Sequence, residues 1–150
     1  MEIGVYNGEN ARSMIMAAAK NVPPHEVEYY GFDFFSYHSA ARVGRRLEET
    51  GCRYRLIEGD TVETLPEAVK TLPMMDLIFI DGGKSHKEAL SDWENSSLLM
   101  HDGTGVFVHN VGFMGVGRMV DGIHRDKYHV EVFYAPAEGS VALIRKRPVG

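Results

Sequence analysis

Five short groups of residues have the types and spacing to do chemistry, and each stands at the end of a short apolar run: Gly4 to Gly8 (GVYNG), Asp33, Gly59-Asp60-Thr61, Asp81 to His86 (DGGKSH) and His109-Asn110. Imidazoles titrate near neutrality without special help, so His86 and His109 are candidate proton acceptors. Lys84 joins them where burial or a metal favours its neutral amine. Plainer readings stand beside these: an exposed lysine opening a helix, and a histidine decorating a first helical turn. Asp33 can accept both hydroxyls of a ribose, or it can be a turn residue. Asp60 and Thr61 can border a ligand and still cap the next helix. The first group reads E-x-G-x-x-x-G, with Tyr6 where a dinucleotide fingerprint has its middle glycine. A pyrophosphate on a helix N-terminus needs that bare backbone, so a dinucleotide is disfavoured, whereas a small nucleoside without phosphate can still approach.

These groups need an architecture that brings strand ends to one edge. Met1 to Val5 reads as strand one and Asn10 to Lys20 as a helix stopped by Val22-Pro23-Pro24. Glu28 to Phe34, Tyr54 to Glu58, Met75 to Ile80 and Gly105 to His109 read as further strands. Helical patterns separate them over His38 to Thr50, Thr61 to Leu72 with Pro66 as an irregularity, and Ser85 to Leu99, where Ser85 and Glu88 have capping-box spacing. A short helix follows near Arg118 to Arg125. Tyr128 to Tyr134 and Ser140 to Arg145 lie too close together for a parallel crossover, so they form an antiparallel hairpin turning at Pro136 to Gly139. The expected fold is α/β: a Rossmann-like, doubly wound, mostly parallel sheet in a three-layer α/β/α arrangement, closed by a C-terminal antiparallel β-hairpin. Ligands of such sheets bind at the carboxyl ends of the strands, where all five groups fall. Trp93 and Met14, Met16, Met74 and Met75 read as core.

Residues 1–150 fit a single domain, with 44% apolar and 25% charged residues as in ordinary globular chains. A formal charge of −5 argues against a nucleic-acid partner, and the cluster Arg42, Arg45 and Arg46 reads as a solvated helix face. The single cysteine, Cys52, excludes an intramolecular disulfide, and no run reads as a membrane span or signal peptide. A cytoplasmic protein without a membrane partner is expected.

The series EIGVYNG, YYGFD, EGD and FIDGGKSH resembles the successive motifs of class I S-adenosylmethionine-dependent methyltransferases, over nearly the whole chain. The resemblance implies S-adenosylmethionine as cofactor. Glu2 and the loop carrying Gly4, Tyr6 and Gly8 would lie by its methionine part, Asp33 and Phe34 by the ribose, Asp60-Thr61 by the adenine, and Asp81 close by. A narrower similarity, in IDGGK and HNVGFMGVG, is to the cation-dependent O-methyltransferases that include the catechol and caffeoyl-coenzyme A enzymes. Asp81 and Lys84 match their D-x-x-K spacing and Asn110-Val111 the end of their D-N-V pattern, while His109 stands where a second Asp is expected. That similarity implies a divalent-metal site at Asp81, His109 and Asn110. Magnesium prefers hard oxygen ligands, and an imidazole suits other metals better, so the reading favours a metal that is absent or non-essential, with His109 or Lys84 handling the proton.

Relatives in this group carry helices ahead of strand one, whereas residue 1 here already falls in strand one, which leaves two readings: a truncated chain, or a minimal domain that recruits a neighbouring subunit as its lid. An apolar flank near Met14 to Ala18 would then be left exposed, and a homo-oligomer is expected. The acceptor implied is a small hydroxylated molecule, phenolic or catechol-like, held by an apolar pocket at Tyr37, Phe113 and Met114. The alternative is a non-catalytic nucleoside-binding or dimerisation module that retains the fold.

Overall fold

The structure, a computed structural model, describes residues 1–135 and 139–148. The chain divides into two compact units, Met1–Asp60 and the residues from Thr61 onward. In the first, β1 (Glu2–Ile3), β2 (Glu28–Asp33) and β3 (Arg53–Glu58) are parallel in the order β3-β2-β1. Helices α1 (Glu9–Ala18) and α2 (Ala40–Glu48) make the crossovers, and a 3-10 turn over Pro24–Glu26 leads into β2. Ala11 and Ile15 of α1 and Val43 and Leu47 of α2 recur at helical spacing and are buried with Val5, Tyr29 and Phe35. Ser39 caps α2 by accepting from Arg42 N at 3.3 Å, so the helix starts two residues after the expected His38. Strand β1 is only two residues long, because Gly4 at φ 84° turns the chain out of the sheet.

The second unit runs α3 (Thr61–Ala68), β4 (Met75–Ile80), α4 (His86–Ser97), β5 (Met100–His109), α5 (Met114–Gly122), β6 (Tyr128–Ala135) and β7 (Gly139–Lys146). Strands β4 and β5 are parallel, β7 is antiparallel to β5, and β6 is antiparallel to β7. The C-terminal hairpin is as expected; of its expected turn at Pro136 to Gly139, residues 136–138 lie outside the described residues. The capping box at Ser85 and Glu88 is present and opens α4 at His86.

Three expectations are corrected. Helix α5 begins at Met114, four residues before Arg118, although Gly115 and Gly117 weaken helical propensity there. A Cβ on Gly115 would lie 2.3 Å from Lys84 O and 2.6 Å from His86 N, so a glycine is needed for close approach to the start of α4. Strand β5 begins at Met100 rather than Gly105; Met75 pairs with Met100 across a register shift, and the Thr104 hydroxyl bonds Met75 O and accepts from His101 N. Of the methionines assigned to the core, Met75 is buried and Met14 half-buried, but Met16 and Met74 are 47% and 53% exposed. Met16 lies one position past Ile15, off the face that Ala11 and Ile15 bury.

Candidate functional site

In the first unit the loop after β1 turns through three left-handed residues, Gly4 (φ 84°), Tyr6 (φ 53°) and Gly8 (φ 80°). Tyr6 therefore takes the conformation that the missing glycine would have supplied, at a cost of about 1–2 kcal/mol for a residue with a side chain. Asp33, at the end of β2, holds it there. Asp33 Oδ2 accepts from Tyr6 N at 2.8 Å, and Oδ1 accepts from Phe35 N at 2.8 Å, Phe35 being left-handed as well (φ 53°). Each carboxylate oxygen has two lone pairs, so one remains on each for a further donor such as a ribose hydroxyl. Beside this clip Tyr6 and Phe34 are more than half exposed, and the Tyr6 ring meets His38 edge-on at 4.7 Å.

Glu2 is 1% exposed and faces inward, accepting from Asn10 Nδ2 at 2.7 Å and from the Tyr29 hydroxyl. Burial, reinforced by the Glu2 charge, pushes the Tyr29 phenol well above its ordinary value. Glu2 thereby ties the first turn of α1 to β2. Asp60 is exposed and directly precedes Thr61, the half-buried first residue of α3. One residue that holds the glycine loop escaped sequence reasoning. Arg46, taken as part of a solvated face, turns its Nη1 to the Asn7 carbonyl at 2.9 Å and to Glu9 Oε1 at 3.4 Å, bracing the glycine loop. Its signal was position alone: it stands on α2 one residue before buried Leu47, and its side chain is 33% exposed.

In the second unit, register does the positioning. Ile80 of β4 pairs with Val108 of β5, so the residues that follow, Asp81 and His109, emerge side by side. Asp81 Oδ2 lies 3.1 Å from His109 Nδ1; Oδ1 accepts from Asn110 Nδ2 at 3.1 Å and from Lys84 Nζ. The Asn110 amide also abuts His109 Nδ1, and Asn110 is left-handed at φ 62°. The His109 ring stacks on Phe79, centroids 6.1 Å apart. Asp81, Lys84, His109 and Asn110 are each about a quarter to a third exposed or half-buried. His86, on the first turn of α4, has its Nδ1 3.4 Å from Gly115 O and is not joined to this cluster by any contact described. Phe113 and Met114, at the start of α5, are exposed, as is Tyr37 in the first unit.

The cluster is a poor divalent-cation cage. Its sole carboxylate already faces an ammonium, an amide N–H and an imidazole nitrogen, and Mg²⁺ requires oxygen ligands in near-octahedral array. Among the described residues no group of three His, Cys, Asp or Glu side chains could hold a metal ion. The donors suit proton transfer better: a carboxylate beside an imidazole nitrogen fixes the orientation of the ring.

Parallel strands with helical crossovers in both units, and a terminal antiparallel hairpin, define a Rossmann-like α/β fold with its polar groups at the carboxyl ends of the strands. A family profile described as a methyltransferase domain matches residues 1–111, and the chain belongs to that family. Solved structures agree in fold. The apo form of CalS11, a TDP-rhamnose 3′-O-methyltransferase of calicheamicin biosynthesis, superposes with a TM-score of 0.77 at 20% identity, covering 97% of this chain and 70% of its own. A putative O-methyltransferase from Klebsiella pneumoniae gives 0.78 at 20% identity over 98% and 72%. TomG, an O-methyltransferase of tomaymycin synthesis from Streptomyces achromogenes in complex with S-adenosylmethionine, gives 0.72 at 18% over 98% and 72%. No curated protein matches the sequence.

Proposed function

We propose that the chain is an S-adenosylmethionine-dependent O-methyltransferase acting on a small phenolic or catechol-like hydroxyl compound. The family match over residues 1–111 carries the reading, and the O-methyltransferase neighbours support it. When bound, S-adenosylmethionine supplies a methyl group on a sulfonium sulfur, which departs as a neutral thioether. The first unit offers what such a nucleoside needs: bare backbone at Gly4 and Gly8, free acceptor capacity on Asp33, and exposed aromatic rings at Tyr6 and Phe34. Asp60-Thr61 is the segment assigned to adenine.

The acceptor hydroxyl needs a base as its oxygen forms the new bond to carbon. His109 takes that proton, with Asp81 against Nδ1 to orient the ring, and Lys84 completes the charge balance at Asp81. Such a base is worth about 10²–10⁴ in rate. In this reading residues 1–150 carry one methyltransferase domain, and His86 is an alternative base. The protein works in the cytoplasm; no helix among the described residues is long and apolar enough to cross a membrane. It self-associates through the exposed flank at Met16 and Ala17.

The test is turnover to S-adenosylhomocysteine with a panel of phenols and catechols. Turnover should survive EDTA and fall about 10²-fold or more in His109→Ala, while calorimetry shows S-adenosylmethionine binding unchanged in that variant. Loss of turnover in EDTA with recovery in Mn²⁺ or Zn²⁺ would overturn the metal-free base. Cofactor binding with no turnover on any hydroxyl acceptor would indicate the non-catalytic module.

A further inference from the structure

The second unit contains a larger cavity whose lining, the alternative base His86 apart, plays no part in the reading above. It opens between α4 and α5 with a volume of about 430 Å³, and it shares no lining residue with the 10 Å³ void beside Asp81 and His109. Helical spacing builds it: His86, Leu90, Trp93 and Glu94 of α4 lie on one face and Arg118, Met119 and Gly122 of α5 on the other. Two helices packed at ordinary distance would fill such a groove with side chains. Here Gly122 contributes none, and a Cβ added to it would meet nothing within 4 Å.

The lining is chemically divided. Its floor is apolar, with Met119 at 1% and Trp93 at 7% exposure, and the Trp93 ring meets Tyr128 edge-on at 5.2 Å. Its rim carries Arg118 and Lys127, and among the described residues no carboxylate lies within 4.0 Å of either cation. His124, also on the rim, is 3.9 Å from Asp126, and among the described residues Glu94 is the only acidic one in the lining. Among the described residues most lysines and arginines have no carboxylate within 4.0 Å, so what marks these two is their place, both beside an aromatic floor. The volume lies within the range of small-molecule sites, which combine apolar and aromatic walls with a few placed polar groups.

We infer that this cavity binds a small aromatic anion, such as an aryl phosphate or aryl carboxylate, with its ring on the Trp93–Tyr128 floor and its charge toward Arg118 and Lys127. A planar ring meets the edges and faces of Trp and Tyr favourably, and a guanidinium with an ammonium recognises an oxyanion through charge-assisted hydrogen bonds. Neither group suits a neutral aliphatic ligand. The site stands whether or not the chain transfers methyl groups.

Trp93 is the chain's single tryptophan, so intrinsic emission reports directly on the cavity. The probe is phenyl phosphate, with phenol and inorganic phosphate titrated separately. Phenyl phosphate should change Trp93 emission saturably, and each half-probe should bind at least about tenfold more weakly. Arg118→Gln and Lys127→Gln, both at exposed positions, should each weaken phenyl phosphate about tenfold, the equivalent of one charged hydrogen bond, and leave phenol unaffected. A Cβ at Gly122 meets nothing within 4 Å, so Gly122→Phe should place a ring in the open groove and abolish binding while thermal stability is kept. No saturable response in the wild type, phenol or phosphate binding as tightly as phenyl phosphate, or undiminished binding in Gly122→Phe would each overturn the assignment.

Discussion

Replacing Asp33 by Ala removes one carboxylate and thereby releases two backbone amides, at Tyr6 and Phe35, both of which are held left-handed. Hydrogen bonds to a charged group are worth about 1.5–3 kcal/mol each, and the lower figure applies here because Asp33 is only half-buried, giving about 3 kcal/mol for the pair. If one of the two residues, freed of the carboxylate, then leaves the left-handed region, about 1–2 kcal/mol is returned. The net expectation is a loss of about 1–2 kcal/mol in urea denaturation at unchanged m, since the surface exposed on unfolding is the same. Cofactor binding should suffer more than stability does. If Asp33 also accepts the ribose hydroxyls, calorimetric affinity for S-adenosylhomocysteine should fall at least about tenfold at temperatures where the variant is fully folded. Asp33→Asn separates the two roles: an amide oxygen can still accept one of the backbone N–H groups, so stability should be partly restored while affinity stays low. Unchanged affinity in Asp33→Ala would remove the nucleoside site from this loop, and unchanged stability would show that Tyr6 and Phe35 need no clip.

Tyr29→Phe should cost about 1–3 kcal/mol at neutral pH, because Glu2 stays buried with one donor fewer. The same change should flatten the alkaline limb of stability. With the Tyr29 phenol raised in the folded state, its contribution is complete below the ordinary value of 10.0 and is lost as pH climbs from there toward the folded value, because only the unfolded chain then gives up its proton. Thermal melts between pH 9 and 11.5 compare the slopes; equal slopes in wild type and variant would refute the assignment. Gly115→Ala should drive a methyl group into the backbone of Lys84, Ser85 and His86 and lower Tm by about 5–10 °C. A melt within 1 °C of wild type, on the same scale, would mean the two helices part freely.

Much of this molecule is legible in its residues. Strand ends, the capping box at Ser85 and the final hairpin follow from local pattern, since each depends on neighbours in sequence. Tyr6 shows where local pattern stops. A fingerprint lacking its glycine reads as a weakened loop, and an aspartate twenty-seven residues later reads as a separate feature. In the folded chain they are one device, since Asp33 supplies the hydrogen bond that lets a tyrosine stand in a glycine's conformation. Gly115 misleads in the opposite direction: its propensity argues against a helix, and its real role is to admit the carbonyl of Lys84. Propensity describes the residue alone, whereas close approach is decided by what arrives from elsewhere in the chain.

The Asp81 cluster extends the same argument to chemistry. Adjacent strands and the Ile80–Val108 pairing are enough to place Asp81 beside His109, and both were expected at strand ends. Their spacing leaves open whether the carboxylate faces a metal or a proton-carrying group, because that depends on where Lys84 points. The D-x-x-K spacing lets the ammonium fold back onto the Asp81 oxygen, and with Asn110 and His109 on the remaining directions the carboxylate is surrounded by donors. A divalent ion would have to displace Lys84 from Asp81 and then bind next to its charge. Substituting His109 for a second carboxylate therefore does more than soften a ligand: it removes the negative charge that would have made that displacement favourable, and leaves in its place a side chain able to take the proton itself.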